Sequence, residues 1–237
     1  YEIMSQVERA IIMAAGKGTR MRPITNTVPK PLVKVHGVPL IEGIINQLHQ
    51  QNIYEIYVVV GYLKEQFNYL VDKYEGLHLI DNPYFDTCNN ISSLYVARNH
   101  LKDVIILDGD QIVNNNKILS RNFEHSGYNC IYKNEIQNEW MLKIKEGIVT
   151  SCSRTGGKDG WQLYSVSRWN EADGARLKKH LEIEFEEKKN TDIYWDDVAL
   201  FCYPDDYKLG IYEMHEGDIL EIDSFDELCS IDNTYSR

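Results

Sequence analysis

The first 110 residues alternate between segments that have the pattern of strands and segments that have the pattern of helices. Apolar runs predict strands at RAIIMAA (9–15), IYEIYVVV (53–60), LHLI (77–80) and DVIILDGD (103–110). Amphipathic spacing predicts helices at PLIEGIINQLHQQN (39–52), LKEQFNYLVDKY (63–74) and ISSLYVARNHL (91–101). This alternation favours a parallel sheet with helices on both faces. Because ligands bind beyond the carboxyl ends of such strands, the loops after Ala14, Val60 and Leu107 are expected to share one rim.

The second half of the chain is less regular. Strands, mostly antiparallel, are predicted at YNCIYK (128–133), EWMLKIKEG (139–147), IVTSCSRT (148–155), WQLYSVSRW (161–169) and YKLGIYEMHEG (207–217). Helices are predicted at 171–189 and 192–202, and Ser224 and Glu227 have capping-box spacing for a last helix. We therefore predict one α/β domain over 1–237, with a mixed, mainly parallel Rossmann-like sheet flanked by helices. Its halves are 1–125 and 126–237, the second with a smaller antiparallel subregion, and the start without Met predicts a piece of a longer chain.

The charge of the chain is unevenly distributed. Residues 9–35 contain no Asp or Glu, although the formal net charge is −11. A basic segment in an acidic protein favours a small polyanionic ligand and argues against nucleic acid, which needs clustered Lys and Arg. The five cysteines are far apart in the sequence, which argues against a disulfide framework and a zinc site and predicts a cytoplasmic protein. No long apolar run or secretory signal predicts contact with a membrane.

The segment AAGKGTR (14–20) forms a glycine-rich loop after the first strand. It lacks the spacing of a Walker A loop, and the third glycine of a dinucleotide fingerprint would fall at Met21. Backbone N–H groups in such a loop bind phosphate oxygens directly, and Arg and Lys add charge. Two prolines flank Lys30 and are expected to fix where its ammonium points.

The composite of AAGKGTRMRP (14–23) and PKPL (29–32) resembles the signature of nucleotidyltransferases that activate a phosphorylated compound with an NTP. Six further segments recur in the same order in the bacterial CTP:phosphocholine cytidylyltransferases, which the chain resembles from about Arg9 to Tyr235. They are GYLKEQF (61–67), NNISSLY (89–95), LDGD (107–110), NEW (138–140), YWDD (194–197) and EIDSFDEL (221–228). The resemblance implies that CTP and phosphocholine react to give CDP-choline and pyrophosphate.

The resemblance also implies roles for individual residues. Asp110 and Asp223 would hold Mg²⁺, with Asp108 as a third candidate that has the alternative role of a polar turn. The proposed catalytic residues are Lys30, which would stabilise charge at the α-phosphate, Arg20, which would hold the leaving pyrophosphate, and Asp110. The predicted nucleotide-binding residues are Ala14, Ala15, Gly16, Lys17, Gly18, Thr19, Arg20, Lys30, Gly61, Asn89, Ser93 and Asp108.

The acceptor is expected to bind in the second half of the chain. A trimethylammonium group donates no N–H hydrogen bond and binds over aromatic faces near carboxylates. All four tryptophans lie between residues 140 and 195. By resemblance, the predicted phosphocholine-binding residues are Trp140, Tyr194, Trp195 and Asp197, with Asp196 as an alternative, whereas Trp161 and Trp169 are expected in the core.

Two alternatives to this function remain open in the sequence. The acceptor could instead be phosphoethanolamine, 2-aminoethylphosphonate or a sugar 1-phosphate, and a primary ammonium would require more hydrogen-bond acceptors and fewer aromatics. The chain could also be a non-catalytic nucleotide-sensing domain, although its Lys30, Asp110 and Asp223 favour an enzyme. Fusion to a choline-kinase-like domain is known among the resembling proteins, and the sequence gives no oligomeric state.

Overall fold

The strands and helices of the protein are described by a computed structural model that covers residues 4–236. The strands are β1 (Ser5–Gln6), β2 (Arg9–Ala14), β3 (Lys34–Val35), β4 (Val38–Pro39), β5 (Glu55–Val60), β6 (Leu77–Asp81), β7 (Val104–Asp108), β8 (Gln111–Val113), β9 (Asn122–Phe123), β10 (Gly127–Lys133), β11 (Met141–Lys145), β12 (Ile148–Ser153), β13 (Gly160–Trp169), β14 (Gly210–Glu213) and β15 (Ile219–Glu221). The α-helices are α1 (Leu40–Gln50), α2 (Tyr69–Lys73), α3 (Ile91–Val96), α4 (Glu171–Glu182) and α5 (Phe225–Ile231). The predicted strand–helix alternation of the first 110 residues is confirmed.

Four parallel strands form the centre of the main sheet, in the order β7-β2-β5-β6. The register pairs Ala14 with Val60 and Met13 with Asp108, so β2, β5 and β7 end at the same edge. The predicted common rim is therefore confirmed. Two backbone hydrogen bonds to β2 and its loop fix the rim: Gly109 N–H donates to Met13 O and Tyr62 N–H donates to Ala15 O.

The central strands are apolar on both faces because helices cover both. Ile12 on β2 faces α1 and packs in one cluster with Ile41 and Ile44. Its neighbour Ile11 faces the other side, in a cluster with Leu94 of α3. All of these side chains are almost completely buried, and each contributes about 1.5–3 kcal/mol relative to an exposed position. Alternation along the strand thus explains why these runs contain no polar residue.

The second half of the chain extends this sheet with mainly antiparallel strands. The end of β13 pairs with β7, with Trp169 opposite Val104, and its start pairs with β11. On its other edge β13 pairs with β10, which in turn pairs in parallel with β14. The mixed α/β fold with a smaller antiparallel subregion is therefore confirmed, and the sheet continues from one half of the chain to the other.

The segment 192–202 differs from the expected helix at its start. Helical structure begins only at Asp196, and Val198–Cys202 is a π-helix. Tyr194 and Trp195 precede it because their N–H groups are bound elsewhere: Tyr194 N–H donates to the Asp197 carboxylate and Trp195 N–H donates to Asn90 Oδ1. Side chains in this turn therefore do not follow helical spacing.

Across residues 4–236, every helix is too short or too polar to cross a bilayer.

Candidate active site

A cavity of about 370 Å³ lies at the carboxyl edge of β7 and brings together residues from both halves of the chain. Part of its lining is a charged group that consists of Arg20, Lys30, Asp110 and Asp223. Another part is an aromatic group that consists of Trp140, Tyr194 and Trp195. Both groups therefore face the same space.

Lys30 is the best-buried member of the charged group, with 8% of its surface exposed. It begins a 3₁₀ turn directly after Pro29, which adopts an extended conformation. Its Nζ lies 3.2 Å from Asp110 Oδ2 and 3.8 Å from Asp223 Oδ1. Arg20 reaches the same Asp223 oxygen at 3.3 Å from a far more exposed position. Two cations of the acid-free segment thus meet two carboxylates that are distant in the sequence.

Asp110 and Asp108 follow from the way β7 ends. Asp108 is its last residue, and the N–H of Gly109 is held by Met13 O, so the chain turns at the rim. Burial raises the pKa of Asp108 well above its usual range, and the negative charge of Asp110 adds to this effect against a hydrogen bond from Ser165. Asp108 is therefore less suited than Asp110 to remain ionised in this part of the cavity.

Asp223 is positioned by the predicted cap of α5. Ser224 accepts a hydrogen bond from Glu227 N–H, and the Glu227 carboxylate accepts one from Asp223 N–H, one residue before the position expected in a capping box. Glu221 also lines the cavity, where burial and then the charges of Asp223 and Asp110 raise its pKa. The sequence analysis missed Glu221, although the spacing of two residues to Asp223 was a usable signal.

The glycine loop lines a second cavity of about 180 Å³. Ala14, Ala15, Gly16 and Gly18 contribute to it, and Lys30, Asn90, Asp108 and Asp110 line both cavities, with Ser93 in the smaller one. Gly18 has a φ of +59°, and a Cβ there would lie 3.0 Å from Lys30 Cβ. The loop can therefore approach Lys30 this closely because position 18 is glycine.

Four of the predicted nucleotide-binding residues lie outside both linings. Lys17 forms an ion pair with Asp86, and Thr19 begins a 3₁₀ turn. At Gly61 a Cβ would lie 2.7 Å from Phe85 Cβ, which explains the glycine by packing. The Asn89 side chain donates to Asp192 O, and its neighbour Asn90 lines both cavities instead. The geometry therefore replaces Asn89 by Asn90.

The members of the aromatic group differ in their surroundings. Trp140 and Tyr194 pack edge to face with ring centroids 5.8 Å apart, and Tyr194 is exposed. Trp195 is only 5% exposed and packs against Tyr128 and Trp169. Trp169 is completely buried, as expected. Trp195 is thus a core residue whose edge reaches the cavity, whereas Trp140 and Tyr194 are available to a ligand.

The two acidic residues of YWDD exchange the places that were expected for them. Asp196 lines the cavity and accepts a 2.7 Å hydrogen bond from Tyr128 OH. Burial raises the pKa of Asp196 to about 7, in spite of that hydrogen bond. Asp197 is only 3% exposed and lies outside the lining, with its carboxylate bound to Arg154 and to Tyr194 N–H. Direct contact with a ligand therefore falls to Asp196 and not to Asp197.

Several polar residues of the lining were not found from the sequence. Besides Asn90 and Glu221, they are Gln111, Glu139, Gln162 and Ser165. Glu139 is adjacent to Trp140, and Gln162 lies on β13, where residues alternate between the two faces. Only the register of β13 in the sheet shows which of its faces lines the cavity.

Comparison with known proteins places this geometry in a family. The MobA-like NTP transferase domain matches residues 10–158. A 2-aminoethylphosphonate cytidylyltransferase of Lancefieldella rimae is 34% identical over 228 residues, which cover 95% of this chain and 92% of that protein. A choline-phosphate cytidylyltransferase of Streptococcus pneumoniae is 35% identical over 219 residues, with coverage of 91% and 93%.

A solved structure gives the same result. The CTP:phosphocholine cytidylyltransferase from Streptococcus pneumoniae superposes with a TM-score of 0.85 at 32% identity and covers 97% of this chain and 99% of that chain. The family predicted from the glycine loop is thereby confirmed, and the alternative of a non-catalytic sensor is set aside. The chain belongs to the MobA-like NTP transferase family and is a nucleotidyltransferase that groups with the bacterial choline-phosphate and 2-aminoethylphosphonate cytidylyltransferases.

Proposed function

We propose that the protein transfers CMP from CTP to phosphocholine and forms CDP-choline and pyrophosphate. One observation carries this proposal: the charged group and the aromatic group line a single cavity. The first suits the phosphates of a nucleotide, and the second suits a quaternary ammonium. The named activities of the relatives agree with both parts.

The triphosphate is proposed to bind along the glycine loop. Gly16 and Gly18 line the smaller cavity without side chains, so backbone N–H groups are free to approach phosphate oxygens. Lys30 lies between this cavity and the larger one and would bind the α-phosphate. Asn90 and Ser93, on and just before α3, are proposed to contact the base or ribose of CTP.

Asp110 and Asp223 fit the binding of a divalent cation, which we propose to be Mg²⁺. Both carboxylates face the Lys30 ammonium and so converge on one point. Within residues 4–236 no three His, Cys, Asp or Glu side chains form a metal-binding cluster. Two carboxylates suit Mg²⁺, which takes one or two from the protein and fills its shell with phosphate oxygens and water. When bound, such a cation neutralises charge on the phosphates.

The reaction is an in-line displacement at the α-phosphorus. A phosphate oxygen of the acceptor forms a bond to this phosphorus, and the bond to the bridging oxygen of the β-phosphate breaks, so that pyrophosphate leaves. Lys30 would stabilise the charge that develops on the α-phosphate oxygens. Arg20 is more exposed and would bind the departing pyrophosphate. Catalysis then consists mainly of positioning and charge neutralisation.

The trimethylammonium of the acceptor is proposed to bind against Trp140 and Tyr194. Their rings are perpendicular, at 86°, and so offer two walls to one cation. Asp196 lines the same cavity and would supply the negative charge. Trp195 closes the cavity from the core side, and Asp197 supports Tyr194 from behind.

A second candidate acceptor is 2-aminoethylphosphonate. A specific observation favours it: Glu139, Gln162 and Glu221 line the cavity and offer the hydrogen-bond acceptors that a primary ammonium requires. The relative from Lancefieldella rimae carries that name. Phosphocholine remains our proposal because two aromatic rings contribute to the lining as well.

Pyrophosphate release tests these candidates in one assay. CTP, UTP, ATP and GTP are each combined with phosphocholine, 2-aminoethylphosphonate, phosphoethanolamine and a sugar 1-phosphate in the presence of Mg²⁺. We expect efficient release only with CTP and phosphocholine. A higher kcat/KM with 2-aminoethylphosphonate would replace the acceptor, whereas turnover with a sugar phosphate would refute the proposed role of the aromatic group.

A further inference from the structure

Arg154 lies behind the aromatic group, at the end of β12 and outside the lining of the cavity. Its guanidinium lies 3.5 Å from the ring centroid of Phe201 and 5.7 Å from that of Trp140. Phe201 itself packs edge to face against Trp140 at 5.4 Å. Arg154 thus contacts Trp140 on the side opposite its edge-to-face partner network with solvent, and half of its side chain remains exposed.

The same guanidinium forms an ion pair with Asp197. Arg154 Nε donates to Asp197 Oδ1 at 3.1 Å, and Nη2 donates to the same oxygen. The other oxygen, Oδ2, accepts a 2.8 Å hydrogen bond from Tyr194 N–H. Because the Asp197 side chain is nearly completely buried, both of its oxygens are held in place. Asp197 therefore connects Arg154 to the backbone that carries Tyr194.

The loop of Arg154 is also joined to the loop of Trp140. Gln137 and Gly157 exchange two backbone hydrogen bonds, with N···O distances of 3.1 and 2.9 Å. Gly156 permits this approach, since a Cβ there would lie 1.9 Å from Gln137 O. The loops 134–140 and 154–158 therefore behave as one unit, with Arg154 as its contact to Asp197.

We propose that Arg154 is a positioning residue which, through Asp197 and Phe201, sets the separation of Trp140 and Tyr194 and thereby the affinity for the cationic end of the acceptor. The inference rests on the proposed function, because it concerns how that acceptor is bound. A planar guanidinium suits this position because it stacks on a ring while it donates two parallel hydrogen bonds in its plane. Arg154 itself makes no contact with the reacting phosphates in this account.

Loss of the guanidinium has two separable consequences. The buried Asp197 carboxylate would lose its cation, which destabilises the folded protein. The loop of Trp140 would also lose its contact with Asp197, so the two rings would no longer be held at a fixed separation. The first effect depends on the charge of Asp197, whereas the second depends on the guanidinium. A double variant that also neutralises Asp197 distinguishes them.

The experiment compares wild type with Arg154→Ala, Arg154→Lys and Arg154→Ala/Asp197→Asn. Arg176→Ala is the matched control, because Arg176 also pairs with an aspartate and lies over a tyrosine ring, on α4. The KM of the acceptor, the KM of CTP, kcat and the melting temperature are measured for each. We expect Arg154→Ala to raise the acceptor KM about tenfold and to change the KM of CTP less than about twofold. Arg154→Lys should be intermediate.

The double variant decides between positioning and general stability. We expect it to recover most of the melting temperature while its acceptor KM stays raised. Recovery of the acceptor KM together with the melting temperature, or an equal rise of both KM values in Arg154→Ala, would overturn the inference. A wild type that uses only 2-aminoethylphosphonate would refute the proposed acceptor, and the KM comparison with that acceptor then decides on Arg154 alone. A wild type without turnover of any acceptor would overturn both.

Discussion

The Lys30 ammonium lies 3.2 Å from the Asp110 carboxylate, although 80 residues of sequence separate them. The cation comes from a segment without acidic residues, and the carboxylate comes from the end of β7. Neither is positioned by the other: Pro29 and the following 3₁₀ turn direct Lys30, and the hydrogen bond of Gly109 to β2 directs Asp110. The pair therefore marks where the nucleotide and the cation are proposed to meet.

Replacement of Lys30 by methionine should slow the transfer itself. Methionine keeps the apolar stem and removes the charge that stabilises the α-phosphate in the transition state. We expect kcat to fall about 100-fold or more. Lys34→Met is the control, because Lys34 belongs to the same basic segment but is exposed and lines neither of the two cavities. A Lys30→Met enzyme with kcat within about tenfold of wild type would contradict this role.

Asp110→Asn should weaken the binding of the divalent cation. An amide keeps the shape of the side chain but supplies no charge, so affinity for Mn²⁺ in the presence of CTP should fall about 10- to 100-fold. Electron paramagnetic resonance of free Mn²⁺ measures this without turnover. Removal of the metal with a chelator should stop the wild-type reaction, and Mg²⁺ should restore it. Unchanged Mn²⁺ binding in Asp110→Asn, with Asp205→Asn as an exposed control, would exclude Asp110 as a ligand.

Gly18→Ala should raise the KM of CTP. The added methyl group lies 3.0 Å from Lys30 Cβ, and the position has a φ of +59°, so both the loop and Lys30 must shift. Gly37→Ala is the matched control, since Gly37 also has positive φ but nothing lies within 4 Å of its Cβ position. Equal effects of the two substitutions on the KM of CTP would mean that backbone strain, and not the approach to Lys30, is responsible.

How much of this site the sequence predicts depends on the regularity of the local structure. Periodicity predicts β2, β5 and β7 and therefore the rim that holds Gly16, Lys30 and Asp110. The cap of α5 predicts where Asp223 lies, because cap and helix are local in the sequence. These parts follow from short-range rules that a single sequence contains.

The acceptor part of the site is less predictable because it depends on contacts between distant segments. Asp196 and Asp197 exchange places since Asn90 and the Asp197 carboxylate hold the turn before the π-helix. Likewise, only the pairing of β13 with β10 and β11 determines that Gln162 lies at the cavity. Spacing rules for helices carry no information about such a turn.

Trp140 and Trp195 should respond differently to substitution. Trp140→Leu is expected to raise the acceptor KM about tenfold with little loss of stability, because Trp140 forms a wall of the cavity. Trp195→Ala should lower the free energy of unfolding by about 3–5 kcal/mol, because the ring packs against Tyr128 and Trp169 in the core. Urea titration and acceptor kinetics measure the two effects. A Trp140→Leu enzyme with an unchanged acceptor KM would exclude Trp140 from the acceptor site.

The affinity for phosphocholine should increase with pH. Burial raises the pKa of Asp196 to about 7, so this carboxyl is neutral below that pH and negative above it. The trimethylammonium is attracted to the ionised form, and the acceptor KM should fall about three- to tenfold as pH rises from about 6 to 8. Asp196→Asn removes this step but keeps the ionisation of the substrates, so the ratio of wild-type to variant KM isolates Asp196. A ratio that is constant with pH would contradict the assignment.

Stability should follow pH with the opposite sign. The folded-state pKa of Asp196 lies above its usual value of 3.8, so folding favours the protonated form. Its contribution to the free energy of unfolding is fully present below pH 3.8 and is lost as pH rises through about 7. The difference in melting temperature between wild type and Asp196→Asn across this interval measures the effect.

The identity of the product tests the central claim most directly, since that claim joins a nucleotide and a choline compound in one cavity. The enzyme is incubated with CTP, phosphocholine and Mg²⁺, and the products are followed by ³¹P NMR and mass spectrometry. We predict CDP-choline and pyrophosphate in equal amounts. Formation of CMP and pyrophosphate with phosphocholine left unchanged, or no consumption of CTP, would contradict the account.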